Sequence, residues 1–182
     1  VSPSMLPLTI PVDADLKVAV VCGFPSGKHA SSIKAAEAAL AVSQGTDEVD
    51  MVIDIGAAKA GRFDLVEADI SAVRAEIPAP LILKVIIETA LLNDEEKVAA
   101  CVLSKRARAD FVKTSTGFAK GGATEHDVAL MARAVDFKLG VKASGGIKGA
   151  DDAERMVRAG ARRIGASVGV KIASSGISER RV

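Results

Sequence analysis

The chain has 182 residues, the length of a single domain with a substantial core. Hydrophobic residues make up 49% and aromatics only 3%, so alanine and the branched aliphatics supply the packing, which suits helices laid on a sheet. A formal net charge of +1 gives no electrostatic basis for a nucleic-acid or membrane partner, and no apolar stretch approaches a membrane span.

The opening, Val1 to Met5, reads as the tail of a strand, so the chain is expected to be truncated at its N-terminus. Lys17 to Phe24 is a strand-like run. It leads into Gly23-Phe24-Pro25-Ser26-Gly27-Lys28-His29, a strand-to-helix loop. A phosphate-loop reading fails there, because the glycines are one residue too close and His29 stands where Ser or Thr would bind magnesium. Ala30 to Ser43 is helical, with Ile33, Ala36, Ala39 and Leu40 as its apolar positions. Glu48 to Ile55 is a strand whose alternation places Glu48, Asp50 and Asp54 on one face. Asp64 to Glu76 is a helix with Leu65, Ala68, Ala72 and Val73 on one face.

Leu81 to Glu88 is the next strand. Asn93 can cap a helix running through Leu103, with Asp94, Glu95 and Glu96 in the first turn, where acids complement the helix dipole. The cluster Lys105-Arg106-Ala107-Arg108 reads as that helix's water-facing end rather than a binding patch. Asp110 to Thr116 is a strand. Thr124-Glu125-His126-Asp127 resembles a capping box, with Asp in place of Glu, opening a helix toward Val135. Leu139 to Gly146 is a strand, Asp151 to Ala159 a short helix closed by Gly160, and Arg163 to Ser167 the last strand.

Strand and helix alternate about every thirty residues, the βα repeat of a parallel sheet, which is either a barrel or doubly wound. Three strands carry a lysine inside an apolar run: Lys84, Lys113 and Lys142. Lysine is rare in strands buried on both faces unless paired. Side chains drawn from several strand ends favour the barrel, as one domain over residues 1–182. Only six full strands are read, against the eight that closure needs. Crowded, desolvated ammonium groups lose protons more readily, and a neutral lysine attacks carbonyl carbon. Asp50, Asp54 and Glu48 would balance charge and relay protons, and Lys84 would serve that site or act as an ion-pair partner of Asp50, Asp54 or Glu88. Gly145-Gly146 and Gly165–Ser167, at neighbouring strand ends, suit an anion. Cys22 and Cys101 make no disulfide framework, and His29 and His126 make a zinc site an unfavoured expectation. No signal peptide opens the sequence, so a cytoplasmic protein is expected.

Four segments, Glu48 to Ile53, Leu83 to Thr89, Phe111 to Gly117 and Gly140 to Gly146, together resemble the deoxyribose-phosphate aldolase family, as does the Gly23–Gly27 loop. The resemblance runs from Val1 to about Ile172. It implies a (β/α)8 barrel lacking its N-terminal helix, first strand and part of the second, and a class I aldolase with no cofactor and no metal. The implied reaction is reversible cleavage of 2-deoxy-D-ribose 5-phosphate to acetaldehyde and D-glyceraldehyde 3-phosphate, as in deoxyribonucleotide catabolism. By position Lys113 resembles the Schiff-base lysine, Lys142 the second lysine that lowers its pKa, and Asp50, rather than Asp54, the relay acid. Lys84 matches a further active-site lysine, and Gly117, Gly145, Gly146, Gly165 and Ser167 match phosphate-binding positions. Cys22 falls near the family's substrate site. The Asp-His-Thr stretch of the family's first strand is not found, and Arg106-Ala107-Arg108-Ala109 replaces a commonly Gly-bearing segment. The implied partners are a sugar phosphate and an aldehyde, with a homodimer possible. Alternatives are another Schiff-base sugar-phosphate aldolase or transaldolase, or an inactive sugar-phosphate-binding remnant.

Overall fold

The computed structural model describes residues 1–11 and 14–178. Among them six strands form one parallel sheet in sequence order: β1 Ala19–Cys22, β2 Glu48–Val52, β3 Ile82–Ile86, β4 Phe111–Lys113, β5 Gly140–Ser144 and β6 Arg163–Gly165. The helices are α1 Ser31–Ser43, α2 Ile55–Lys59, α3 Phe63–Ala75, α4 Asp94–Arg106, α5 Glu125–Ala134, α6 Ala150–Arg158 and α7 Gly169–Ser178. The six expected strands and five expected helices are all present, each within two residues of its expected start. The short α2 and α7 were not foreseen. Of the expected strand tail Val1 to Met5, only Val1 pairs with β1, accepting from Val21 N–H and donating to the Ala19 carbonyl, while Pro3–Met5 forms a 3-10 helix.

The sheet is curled. In a flat sheet four strand spacings would put β2 about 19 Å from β6. Yet Arg163 of β6 reaches the Glu48 carboxylate of β2 at 2.7 Å, and Lys142 of β5 reaches Asp50 of β2 at 2.8 Å. A curled, all-parallel sheet with helical crossovers is a partial TIM-barrel-like fold. Its convex face carries Val20, Cys22, Val49, Met51, Leu83, Val85, Val112, Val141 and Ala143, all essentially inaccessible and packed into one core with the helices. Alternate residues point into the concave interior, among them Glu48, Asp50, Lys84, Lys113, Lys142, Ser144 and Arg163.

The helix faces differ from expectation. α1 buries Lys34, Ala38 and Ala41, while Ile33 and Leu40 are more than half exposed. α3 buries Val66, Asp69, Ile70 and Val73, so of its expected face only Val73 is buried and Leu65 is exposed. On α3 the buried face is the apolar stripe Val66, Ile70 and Val73, and on α1 it includes Lys34, whose Nζ lies 2.6 Å from Asp69 and donates to the Val52 carbonyl at 2.9 Å. An apolar count cannot see a lysine whose charge is satisfied in place.

The caps follow the sequence more closely. Asn93 and Glu96 complete a reciprocal capping box on α4. Thr124 caps α5 by accepting from Asp127 N–H, but the Asp127 carboxylate turns to Lys97 Nζ at 2.7 Å instead of closing a box. The basic cluster ending α4 is ion-paired, Lys105 with Asp136 and Arg106 with Glu67, as fits a solvated helix end. No helix among the described residues is long and apolar enough to cross a membrane.

Candidate active site

Asp50 is the centre of the concave interior. It stands level with Lys84 on β3, and Lys113 of β4 stands level with Lys142 of β5. Curling brings the two pairs together. Asp50 Oδ1 accepts from Lys84 Nζ at 2.6 Å, while Oδ2 accepts from both Lys113 Nζ and Lys142 Nζ at 2.8 Å. The three lysines therefore share one carboxylate. Beneath them Glu48 pairs with Lys84 at 2.5 Å and with Arg163, whose guanidinium lies 4.7 Å from the centre of the Phe111 ring.

Charge in this interior is unbalanced. Among the described residues, the ion pairs of Lys84, Lys113, Lys142 and Arg163 go only to Glu48 and Asp50. Burial alone would raise the Asp50 carboxyl, but the ammonium groups of Lys113, Lys142 and Lys84 outweigh it and hold that carboxyl well below the usual range. Glu48 shows the same contest, won by Lys84 and Arg163. Lys142 moves the other way for a cation: burial, reinforced by the Lys113 charge, lowers it against the pull of Asp50. Loss of one proton from such a cluster relieves both like-charge repulsion and desolvation.

The lysines do not share one exposure. Lys84 is fully enclosed, and its nitrogen is committed to Asp50 and Glu48. Lys113 and Lys142 border a cavity of about 380 Å³ at the C-terminal end of the strands. Thr116, Gly117, Ser144, Gly145, Gly146, Gly165 and Ser167 complete much of its wall. All five expected phosphate-binding positions thus lie around the cavity that holds the two amines, while Lys84 and Asp50 lie below it. Gly145 and Gly146 both have positive φ, 86° and 77°, conformations that favour glycine and leave the backbone bare at the rim. α7 begins two residues after Ser167, bringing the positive end of a helix dipole near that rim.

Asp54 does not join Asp50. β2 ends at Val52, and the Asp54 side chain caps α2 by accepting from Ala57 N–H at 2.9 Å. Cys22 points to the convex side, its thiol donating to the Lys34 carbonyl, and burial pushes it up, as it does Cys101, to about 12 for the latter. Arg163 and Ser144 have no role from sequence alone, and Glu88, a candidate partner of Lys84, does not pair with it, since Lys84 pairs with Asp50 and Glu48. Arg163 was read only as a strand start, and an arginine opening a buried strand was the available signal. Ser144 lay inside a quoted motif. Glu88, at φ 55°, turns its carboxylate to Thr116 N–H and Oγ1, and so holds the loop after β4. The ligand atoms of Asp94, His126 and Asp127 also lie within 4.8 Å of one another. Lys97 already donates to both aspartates there, so a cation side chain fills that acidic pocket.

Comparison with known proteins agrees with this geometry. The family model described as DeoC/LacD family aldolase matches residues 9–177. A deoxyribose-phosphate aldolase of Corynebacterium diphtheriae is 57% identical over 94% of this chain and 78% of its own length. Among solved structures, an aldolase called QR15 superposes with a TM-score of 0.91 at 38% identity, covering 98% of this chain and 80% of its own. The tetrameric deoxyribose phosphate aldolase of Aeropyrum pernix gives a TM-score of 0.80 at 33% identity, covering 90% and 69%. With a family model spanning nearly its whole length and relatives more than half identical to it, the chain belongs to the DeoC/LacD family of aldolases.

Proposed function

We propose that this protein is a class I deoxyribose-phosphate aldolase in which Lys113 is the Schiff-base nucleophile. The observation that carries the reading is the pair of amines, Lys113 and Lys142, each 2.8 Å from one Asp50 oxygen and both bordering the glycine-rimmed cavity. Neutral Lys113 adds to the aldehyde carbon of 2-deoxyribose 5-phosphate, and loss of water leaves an iminium. Removal of the 3-hydroxyl proton lets the C2–C3 bonding pair flow into the iminium, giving an enamine and D-glyceraldehyde 3-phosphate. Protonation of the enamine carbon and attack of water release acetaldehyde and restore the amine. Lys142 disfavours a proton on its neighbour, Asp50 passes protons through water, and Lys84 with Glu48 fixes the Asp50 carboxylate from below. Because Lys84 is sealed from the cavity, this reading makes it a positioning residue.

The substrate phosphate is assigned to the rim of Gly117, Gly145, Gly146, Gly165 and Ser167, where bare backbone and a helix N-terminus suit an anion. Binding energy from this remote group orients the reacting carbon. The eight-stranded (β/α) barrel is the architecture of the reading, with the six described strands contributing to it. Self-association belongs to it too, with exposed Ile33 and Leu40 of α1 as apolar surface, and light scattering tests it.

The decisive experiment is borohydride reduction in the presence of acetaldehyde, followed by peptide mass mapping. Label on Lys113 is expected. Label on another lysine overturns the assignment, and cleavage of other sugar phosphates in preference to deoxyribose 5-phosphate overturns the substrate.

A further inference from the structure

We infer that Ser144 is a specificity-determining residue, whose hydroxyl receives the spectator hydroxyl of the sugar phosphate. That group is the one on carbon 4 of deoxyribose 5-phosphate, and it becomes carbon 2 of glyceraldehyde 3-phosphate. The inference rests on the aldolase reading and adds to it a contact that none of the assigned residues makes.

Ser144 is the last residue of β5, two positions beyond Lys142 and so on the same face. The strand rises about 3.3 Å per residue, which sets Ser144 about 7 Å from Lys142 toward the rim of Gly145 and Gly146. A ligand joined to the amines at one end and to the rim at the other passes this side chain. Its backbone is fixed from two sides. Ser144 N–H donates to Thr114 Oγ1 at 3.0 Å, the same Thr114 hydroxyl donates back to the Ser144 carbonyl at 3.0 Å, and Ala123 N–H donates to that carbonyl at 3.1 Å.

The hydroxyl itself is buried and has no hydrogen-bond partner among the described residues. Buried polar groups are normally paired, so an orphan asks what pairs it. The other orphans do not line the cavity: Asp69 is in the α1–α3 pair, Thr89 and Ser115 are outside the lining, Ser115 packed behind Gly145, and Glu88 is in a neighbouring cleft. Ser144 alone among them lines the cavity that holds Lys113 and Lys142.

Gly165 supplies an independent sign. Its φ is not in the left-handed region, so its backbone would accept a side chain. A Cβ there would stand 2.4 Å from Ser144 Oγ and 3.2 Å from Lys142 Cε. Glycine at 165 therefore makes room for the hydroxyl and the amine stem together. Oγ sits in the gap between the second lysine and β6, where a donor serves a polar group between the reacting carbon and the anion.

The test uses two acceptors with acetaldehyde as donor: glyceraldehyde 3-phosphate and 3-oxopropyl phosphate, which differ only in the hydroxyl. The protein should prefer the hydroxylated acceptor in kcat/KM, and Ser144→Ala should shrink that preference on the order of ten- to a hundredfold, the range expected for stranding a buried hydroxyl. An equal loss on both acceptors means a structural or phosphate-binding role, and overturns the inference. So does a wild-type protein that does not discriminate, a result that needs no variant to fold. Borohydride trapping of acetaldehyde separates the two claims. Label at Lys113 with unaltered acceptor preference in Ser144→Ala overturns the Ser144 assignment alone, whereas a wild-type protein without label overturns the aldolase reading beneath it.

Discussion

Lys34 and Lys113 are both buried lysines held by a carboxylate, one on each side of the same sheet. On the convex side, between α1 and α3, Lys34 meets Asp69 at 2.6 Å and the Val52 carbonyl at 2.9 Å. One cation faces one anion, and the lysine is wholly enclosed. On the concave side Lys113 shares its carboxylate oxygen with Lys142, the other oxygen goes to Lys84, and the two sharing amines border a cavity. Burial is thus common to both. A matched and sealed pair ties two helices together and presents no amine to an opening. Cations in excess beside an opening have both a reason to lose one and a place to use the lone pair.

The contrast can be broken most sharply at Lys113. Lys113→Leu should reduce turnover to the limit of detection while circular dichroism and melting show a folded chain, because removing one cation from an excess leaves no carboxylate unpaired. Lys142→Leu comes next. Turnover should fall about a hundredfold or more, and undiminished turnover would sink its role beside Lys113.

On the convex side the effect changes kind. Lys34→Met leaves Asp69 buried and alone, so it should cost about 3–5 kcal/mol of stability while kcat of the folded enzyme holds. Adding Asp69→Leu should recover most of that loss, since the pair and an apolar replacement differ little. Acid probes the concave carboxylates. Asp50 and Glu48 are held below the ordinary carboxylate range, so the unfolded chain binds more protons as pH falls through it. Their contribution is complete above about pH 5 and is lost progressively as pH falls below that, and the melting temperature should drop there. A flat acid profile would mean that these carboxylates are not paired in solution. Last, Asn93→Ala, far from both lysine sites, should cost about 1 kcal/mol through the lost cap on α4, with no change in rate.

Much of this was legible in the residues. The strands could be read because runs such as Leu81 to Ile87 are apolar on both faces, and the caps because Asn93 and Thr124 satisfy helix N–H groups locally. Lys84, Lys113 and Lys142 stood out because lysine has no business in such runs unless something receives it. The resemblance chose Asp50 over Asp54, and the geometry gives the reason: β2 ends before Asp54, which is spent on capping α2. The face of α1 differs from its apolar pattern because Lys34 is buried against Asp69, and α3 has two apolar stripes, of which Val66, Ile70 and Val73 is the one that packs inward. Arg163 and Ser144 went unassigned, since nothing local to either residue tells what lies across the interior.

By itself the sequence determined the alternation of elements, the parallel sheet and the suspicious lysines, for these follow from periodicity, capping and burial preference within short windows. Only the tertiary structure decided which charges share a carboxylate, which lysine is sealed and which is open, and that residues 115 positions apart, Glu48 and Arg163, touch. Those outcomes depend on how far the sheet curls, and curvature is a sum over every strand pair and every helix packed behind them, which no local window contains.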